Sequence, residues 1–301
     1  METPALDRTG QGVIIRLMDQ AFQNWHNAPA KVNLALRVLG RRPDGYHELD
    51  TVMARLTLAD RLRLDLAGPG QDRLVAQAAG PLPHDFEGPA NLALTAVQAF
   101  RKETGWPREA VRIVLKKNIP WGAGLGGGSA DGAAVLAALN RAAPEPLPAP
   151  RLATLALALG ADLPFCLSGA PLARASGVGE KLSAPPPAFE FFRGRELWLI
   201  KPDFNLSTAK VFATLGLTNP PPEHNLEPAL KPGENDLLAP ALSLAPALDE
   251  VVRAVEALKP GVWGLSGSGP TFWLHGAEGD PSRLARAHPE WWVRVVGVAV
   301  P

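Results

Sequence analysis

Five glycines and a serine stand between a strand-like run and an alanine-rich helical run in Pro120 to Asp131, PWGAGLGGGSAD. Backbone amides left uncovered there suit an anion. Glycine reaches positive φ and lets a ligand approach without a Cβ in the way, and the following helix adds the positive end of its dipole. The segment before the loop, Val111 to Lys117, is rich in β formers, and Ala130 to Ala142 holds almost only helix formers. Strand, glycine loop, helix is the predicted local order, and a phosphate cradle is the predicted chemistry. A turn that only packs helix on strand is the alternative, but five glycines in seven positions cost more backbone entropy than packing alone justifies.

Two familiar phosphate loops do not fit this string. Gly122, Gly124 and Gly127 satisfy G-x-G-x-x-G, yet the acidic residue that a dinucleotide site wants about twenty positions on would be Glu145, inside APEPLPAP, where no strand is expected. The P-loop spacing runs from Gly122 to Gly127, but Gly128 stands where the phosphate-binding lysine belongs. A triphosphate bound here needs its cation from elsewhere in the chain.

One source is Ala28 to Leu49, APAKVNLALRVLGRRPDGYHEL. Its first half alternates as a strand, with Val32, Leu34, Leu36 and Val38 on one face and Lys31, Asn33, Ala35 and Arg37 on the other. Lys31 and Asn33 therefore point the same way, onto either a solvated strand face or a site. Pro43-Asp44-Gly45 is a turn signal, and Tyr46-His47 after it contains the only tyrosine of the chain. Further on, Arg151 to Gly160 reads as an apolar helix ending at its glycine, with Asp162 on the bend that follows and Pro164 expected to keep the chain from resuming a helix. An aspartate there is a local hydrogen-bond acceptor or a catalytic base. A second glycine and serine loop, Ser266 to Gly269, precedes a short strand.

Composition narrows the function classes. The chain has 301 residues, 46% hydrophobic and 20% charged, with 30 basic and 30 acidic side chains; that is an ordinary globular balance without an electrostatic grip on nucleic acid or membrane. A single cysteine, Cys166, excludes an intrachain disulfide and fits a reducing compartment. No apolar run approaches a membrane span and no secretory signal is visible, so a cytoplasmic protein is expected. Cys and His show no metal-ligand spacing. Proline-rich breaks fall at 144–150, 185–187 and 220–222. Residues 1–27 are expected as a tail, with Met18 an alternative start, followed by one domain at 28–184 and a second at 185–301.

The order PAKVNL with DGYHEL, then PWGAGLGGGSAD, LGADLPF and GLSGSGPTFW, running from Ala28 to about Gly297, resembles the GHMP kinase superfamily. Within it the first segment resembles the branch acting on a cytidine diphosphate-linked methylerythritol. The resemblance implies an α+β fold of two domains, the first like the second domain of ribosomal protein S5 and the second ferredoxin-like. It also implies transfer of the γ-phosphoryl of ATP to a substrate hydroxyl, with Mg²⁺ resting on phosphates and water rather than on named protein ligands, and a monomer or weak homodimer.

The same resemblance assigns residues. Lys31 and Asp162 match the catalytic lysine and aspartate, the aspartate accepting the hydroxyl proton. Gly122, Ala123, Gly124, Leu125, Gly126, Gly127, Gly128 and Ser129 match the ATP phosphate loop, and Asn91 and Lys117 lie near the adenine. Asn33 is placed to bond substrate, Tyr46 and His47 match the cytidine pocket, Phe212 the aromatic on the opposite side of the base, and Thr208 a nearby polar contact. Asp131, where some members carry Asn, is read as tolerated at a helix start. A sister kinase for mevalonate, homoserine or a sugar would need neither Tyr46-His47 nor Phe212, and a non-catalytic nucleotide-binding cleft is the remaining alternative.

Overall fold

The computed structural model describes Phe22, residues 24–217 and residues 229–300. Met18, most of the expected tail and the break at 220–222 lie outside the described residues. The chain is α+β. Its described elements are β1 (His26–Arg41), β2 (His47–Leu66), β3 (Arg73–Ala78), α1 (Leu92–Thr104), β4 (Val111–Lys117), α2 (Gly127–Ala142), α3 (Ala149–Leu159) and α4 (Leu163–Ser168). There follow β5 (Leu172–Gly177), β6 (Lys181–Ser183), α5 (Pro187–Glu190), β7 (Glu196–Lys201), α6 (Thr208–Thr214), α7 (Leu238–Leu244), α8 (Leu248–Ala257), β8 (Val262–Leu265), β9 (Phe272–His275), α9 (Ser282–Ala287) and β10 (Trp292–Gly297). Two compact units interleave along the chain. The first takes the described residues up to Ala28 with Asp60–Asn118 and Gly128–Leu163; the second takes Pro29–Ala59, Ile119–Gly127 and the described residues from Pro164 on. Residues 185–187 run from β6 into α5, inside the second unit.

In the first unit the far half of β2 pairs antiparallel with β4, Arg61 opposite Lys116 and Asp65 opposite Arg112, and β4 pairs parallel with β3, Arg73 opposite Arg112. The period of two therefore separates the faces. Leu62, Leu64, Leu74, Ile113 and Leu115 are buried on one, while the other carries Arg61, Arg63, Arg73, Arg112 and Lys116 with a single acid, Asp65. Trp25 lies under the Arg61, Arg63 and Lys116 cations, the last at 4.5 Å. Helix α1 starts at Asn91, whose side chain caps the Ala93 N–H, and stops at Gly105 with φ 73°. Its inner stripe is Ala93, Leu94, Ala96, Val97 and Phe100. Phe22, in the stretch expected as tail, is buried with its ring edge-on to Trp106 at 5.8 Å.

One local expectation fails. Pro164 does not prevent a helix; it is the second residue of α4. In a first turn the missing N–H has no intrahelical partner to lose, and the fixed φ is already helical. The end of α4 is closed by Arg55, which donates to the carbonyls of Phe165 and Cys166 and to that of Ala170.

In the second unit β1 and the near half of β2 form a hairpin, and β2 pairs antiparallel with β5, which pairs with β6. A separate antiparallel sheet has the order β10-β7-β9-β8. With helices between β7 and β8 and between β9 and β10, that is the βαββαβ order of a ferredoxin-like fold, its first and third strands central. The sheet buries both faces. Leu197, Leu199 and Trp273 join one core cluster with Val32, Leu34 and Leu56, and the alternate residues Ile200, Phe272 and Leu274 join another with Val211, Leu248, Val251 and Val255 of the helices. Among the described residues no helix is long and apolar enough to cross a membrane.

Phe100 is fully buried under the first unit's sheet. Phe100→Ala is expected to lower stability by about 3–5 kcal/mol, read as an earlier urea-unfolding midpoint.

Candidate active site

Lys31 and Asn33 lie on β1 and share a face, as alternation requires, but that face is not solvated: they are 5% and 3% exposed. The Lys31 ammonium donates to Asn33 Oδ1 at 2.7 Å, and Asn33 Nδ2 donates to Thr51 Oγ at 2.9 Å. A buried cation needs such partners, because losing its hydration costs several kcal/mol.

The glycine loop closes over this lysine. Lys31 N–H donates to Leu125 O at 3.0 Å, while Ala123 and Leu125 are buried in the core. Gly122, Gly124 and Gly126 alternate with them at φ 69°, 73° and 66°. At all three a Cβ would come within 3 Å of a neighbouring residue, which for Gly122 is Asn205. A Cβ on Gly126 would stand 2.8 Å from Lys31 Cγ, and one on Gly124 would stand 2.7 Å from the carbonyl oxygens of both Ser266 and Gly269. The second glycine and serine loop thus packs against the first. Ser266, fully buried, joins them: Asn33 N–H donates to its Oγ at 3.4 Å, and Oγ donates to Gly124 O at 2.9 Å.

The β1–β2 turn is held by Arg42 N–H on Tyr46 O at 2.7 Å and by Asp44 Oδ1 on Tyr46 N–H at 3.1 Å, with Gly45 at φ 87°. It leaves the Tyr46 ring 61% exposed. His47, the next residue, lies 4.7 Å from the Phe212 ring at 31°, so two residues separated by 165 positions are in ring contact. Burial, seconded by the charge of Arg41, lowers the His47 pKa, which favours a neutral imidazole able to donate at one nitrogen and accept at the other. Thr208 opens α6, and its hydroxyl lies 2.8 Å from that of Ser268.

The first unit holds the other expected residues. Asp162, half-buried, occupies the turn between Gly160 and the start of α4. Helix α2 begins at Gly127, so Gly128 and Ser129 form its first turn. Asn91 uses its amide within the fold, accepting from Ala93 N–H and donating to Phe86 O.

Lys117 is buried between two carboxylates. It donates to Asp60 and, at 2.9 Å, to Asp131, while Asp60 also accepts from Asn118 N–H at 2.6 Å. The reading of Asp131 as tolerated at a helix start is thereby corrected: it sits one turn inside α2, 1% exposed, and faces a cation. Its Oδ1 is buried without a hydrogen-bond partner among the described residues. Burial pushes its pKa up, Lys117 pulls it down, Asp60 adds to the rise, and the result is about 7. For Lys117 burial acts against the charge, but Asp131 and Asp60 outweigh it and raise the pKa. Two acids around one ammonium carry a net negative charge, and one added proton neutralises it.

Residues 91–170 match the model of the GHMP kinases N terminal domain. The chain is 39% identical over 287 residues to the 4-diphosphocytidyl-2-C-methyl-D-erythritol kinase of Paramagnetospirillum magneticum, covering 88% of this chain and 95% of the relative. A crystal structure of a 4-(cytidine 5'-diphospho)-2C-methyl-D-erythritol kinase aligns with TM-score 0.68 and 37% identity, over 91% of this chain and 99% of that one. The chain belongs to this family of GHMP kinases. The mevalonate kinase of Methanococcus jannaschii, at TM-score 0.60 and 14% identity over 92% and 98% of the two chains, shares the GHMP kinase fold.

In this GHMP kinase three residues escaped the sequence reading: Thr51, Asp60 and Ser266. The first two had one signal, a polar side chain interrupting the apolar run of a long strand. Ser266 was seen only as part of a loop.

Asp131 gives the kinase a pH dependence. Its folded pKa near 7 lies above the ordinary 3.8, so the folded state holds an extra proton between those values. The stability it contributes is full below about pH 4, drains as pH rises to about 7 and is flat above. Asp131→Asn keeps the shape and removes the titration. Its melting temperature relative to wild type is expected to climb from pH 5 to 7 and then level; a constant offset contradicts the assignment.

Proposed function

We propose that this chain transfers the γ-phosphoryl of ATP to the 2-hydroxyl of 4-diphosphocytidyl-2-C-methyl-D-erythritol, releasing ADP and the 2-phosphate, in the non-mevalonate route to isoprenoid precursors. The observation that carries the substrate is the aromatic pair His47 and Phe212 beside the exposed Tyr46, a π-surface with a neutral ring edge suited to a pyrimidine base. Mevalonate, homoserine and sugars present no such base.

Phosphoryl transfer asks for alignment and charge stabilisation rather than covalent help. The glycine loop is assigned the β- and γ-phosphates through its amides and the N-terminus of α2, with Ser129 directed to a phosphate oxygen or the metal. Gly124 and Gly126 let the loop pack tightly on Ser266, Gly269 and Lys31, which brings it beside the lysine. Lys31 supplies the charge that the loop lacks, drawing density from the attacking oxygen. Asp162 takes the hydroxyl proton, a contribution on the order of a hundredfold to ten-thousandfold. Asn33, its amide engaged with Lys31 and Thr51, serves substrate by orienting Lys31, and Thr208 is assigned a polar contact near the base.

The adenosine end is assigned to Asn91 and Lys117. Their polar atoms are engaged within the fold, so their contribution runs through the elements they hold. Among the described residues no three His, Cys, Asp or Glu side chains gather around a metal position. Mg²⁺ is assigned to the ATP phosphates and water, where it would neutralise charge on the transferring group. We assign the enzyme to the cytoplasm as a monomer or weak homodimer.

Coupled ADP release across diphosphocytidyl methylerythritol, mevalonate and homoserine is expected to show turnover with the first alone. Asp162→Ala is expected to lose turnover by at least about a hundredfold while ATP still binds by calorimetry, and Tyr46→Ala to raise KM for the cytidylated substrate above all. Wild-type turnover in Asp162→Ala defeats the mechanism.

A further inference from the structure

Thr51 has no part in the scheme above, yet it fixes a choice that Lys31 depends on. Its hydroxyl lies 2.6 Å from the carbonyl oxygen of Ala35. A carbonyl only accepts, so the hydroxyl proton is committed there and the side of Oγ facing Asn33 offers lone pairs. Asn33 meets it at 2.9 Å, and only Nδ2 satisfies an acceptor. Oδ1 is therefore turned the other way, onto the Lys31 ammonium.

Rotating that amide by half a turn would break both contacts together. Its NH₂ would face an ammonium, and its oxygen would face lone pairs. Thr51 is 2% exposed and Asn33 3%, so solvent is not at hand to repair either loss, and the penalty is that of unsatisfied buried polar groups. The hairpin register supplies the rigidity: Ala35 lies two residues beyond Asn33 on β1, and Thr51 crosses from β2.

We propose that Thr51 is a positioning residue for phosphoryl transfer: its hydroxyl, anchored on the Ala35 carbonyl, sets which edge of the Asn33 amide meets Lys31 and so aims the ammonium. The inference rests on the reading of Lys31 as catalytic. It assigns Thr51 no contact with substrate. The step it serves is unchanged in its balance, the hydroxyl proton going to Asp162 and the phosphoryl to the oxygen.

The test is steady-state kinetics on T51V, T51S, N33A and the double variant T51V/N33A, with thermal melts for each. T51V is expected to lower kcat by about 10-fold to 100-fold with both KM values within about twofold of wild type. T51S, which keeps the hydroxyl, is expected to restore most of the loss. In N33A the further change to T51V should cost almost nothing, because the relay is already cut. Wild-type kcat in T51V, or losses that multiply in the double variant, overturns the proposal; a purely structural Thr51 would show the second pattern with a lowered melting temperature. K31A separates the two readings, since turnover surviving there defeats the catalytic role of Lys31 whatever Thr51 does. Should T51V fail to fold, T51A is read by the same criteria. Should that fail too, the side-chain amide protons of Asn33 in wild type decide: slow exchange is expected, and rapid exchange overturns the relay.

Discussion

An ammonium withdrawn from water sets the terms for the second unit. The Lys31 ammonium sits inside β1, 5% exposed, and donates to the neutral amide oxygen of Asn33. Everything nearby is shaped to that stem. The glycine loop lies so close that a methyl group on Gly126 would collide with it, and the loop's own bond to the Lys31 backbone keeps it there. Ser266 then ties the strand and both glycine loops through one hydroxyl. Lysine, cradle and supporting loop are a single construction, and none keeps its geometry alone.

The first unit holds a buried lysine of its own between two acids. Lys117 is met by two carboxylates, and its charge is consumed within the fold. The gain is mechanical: β2, β4 and α2 are joined at the point where the chain leaves the strand for the glycine loop. The cost is an excess of negative charge among buried side chains, relieved when Asp131 holds a proton.

What the sequence made legible were features of local chemistry. The strand, loop and helix around Gly122 to Ser129, the alternation that puts Lys31 beside Asn33, and the turn at Pro43 to Gly45 all follow from side-chain type and period. The family pattern assigned His47 and Phe212 to one base-binding pocket, which spacing could not supply; their direct ring contact was not foreseen. Burial of both faces of β1 was not legible, because Lys31 and Asn33 look solvated in a strand pattern until the long-range contacts with Leu125, Thr51 and Ser266 are known. The role of Asp131 was misread for the same reason: its partners, Asp60 and Lys117, come from other strands. Pro164 was misread because the rule against proline in helices lapses in the first turn.

The sheet of the first unit turns outward a row of Arg61, Arg63, Arg73, Arg112 and Lys116 against one acid, in a chain whose charges sum to zero and whose isoelectric point is near 7. Part of the balancing acid is not on the surface at all, since Asp50, Asp60 and Asp131 are buried. The basic face is thus a local concentration of positive charge on one sheet, and a screening length of about 10 Å at 0.1 M salt limits how far it reaches for an anion.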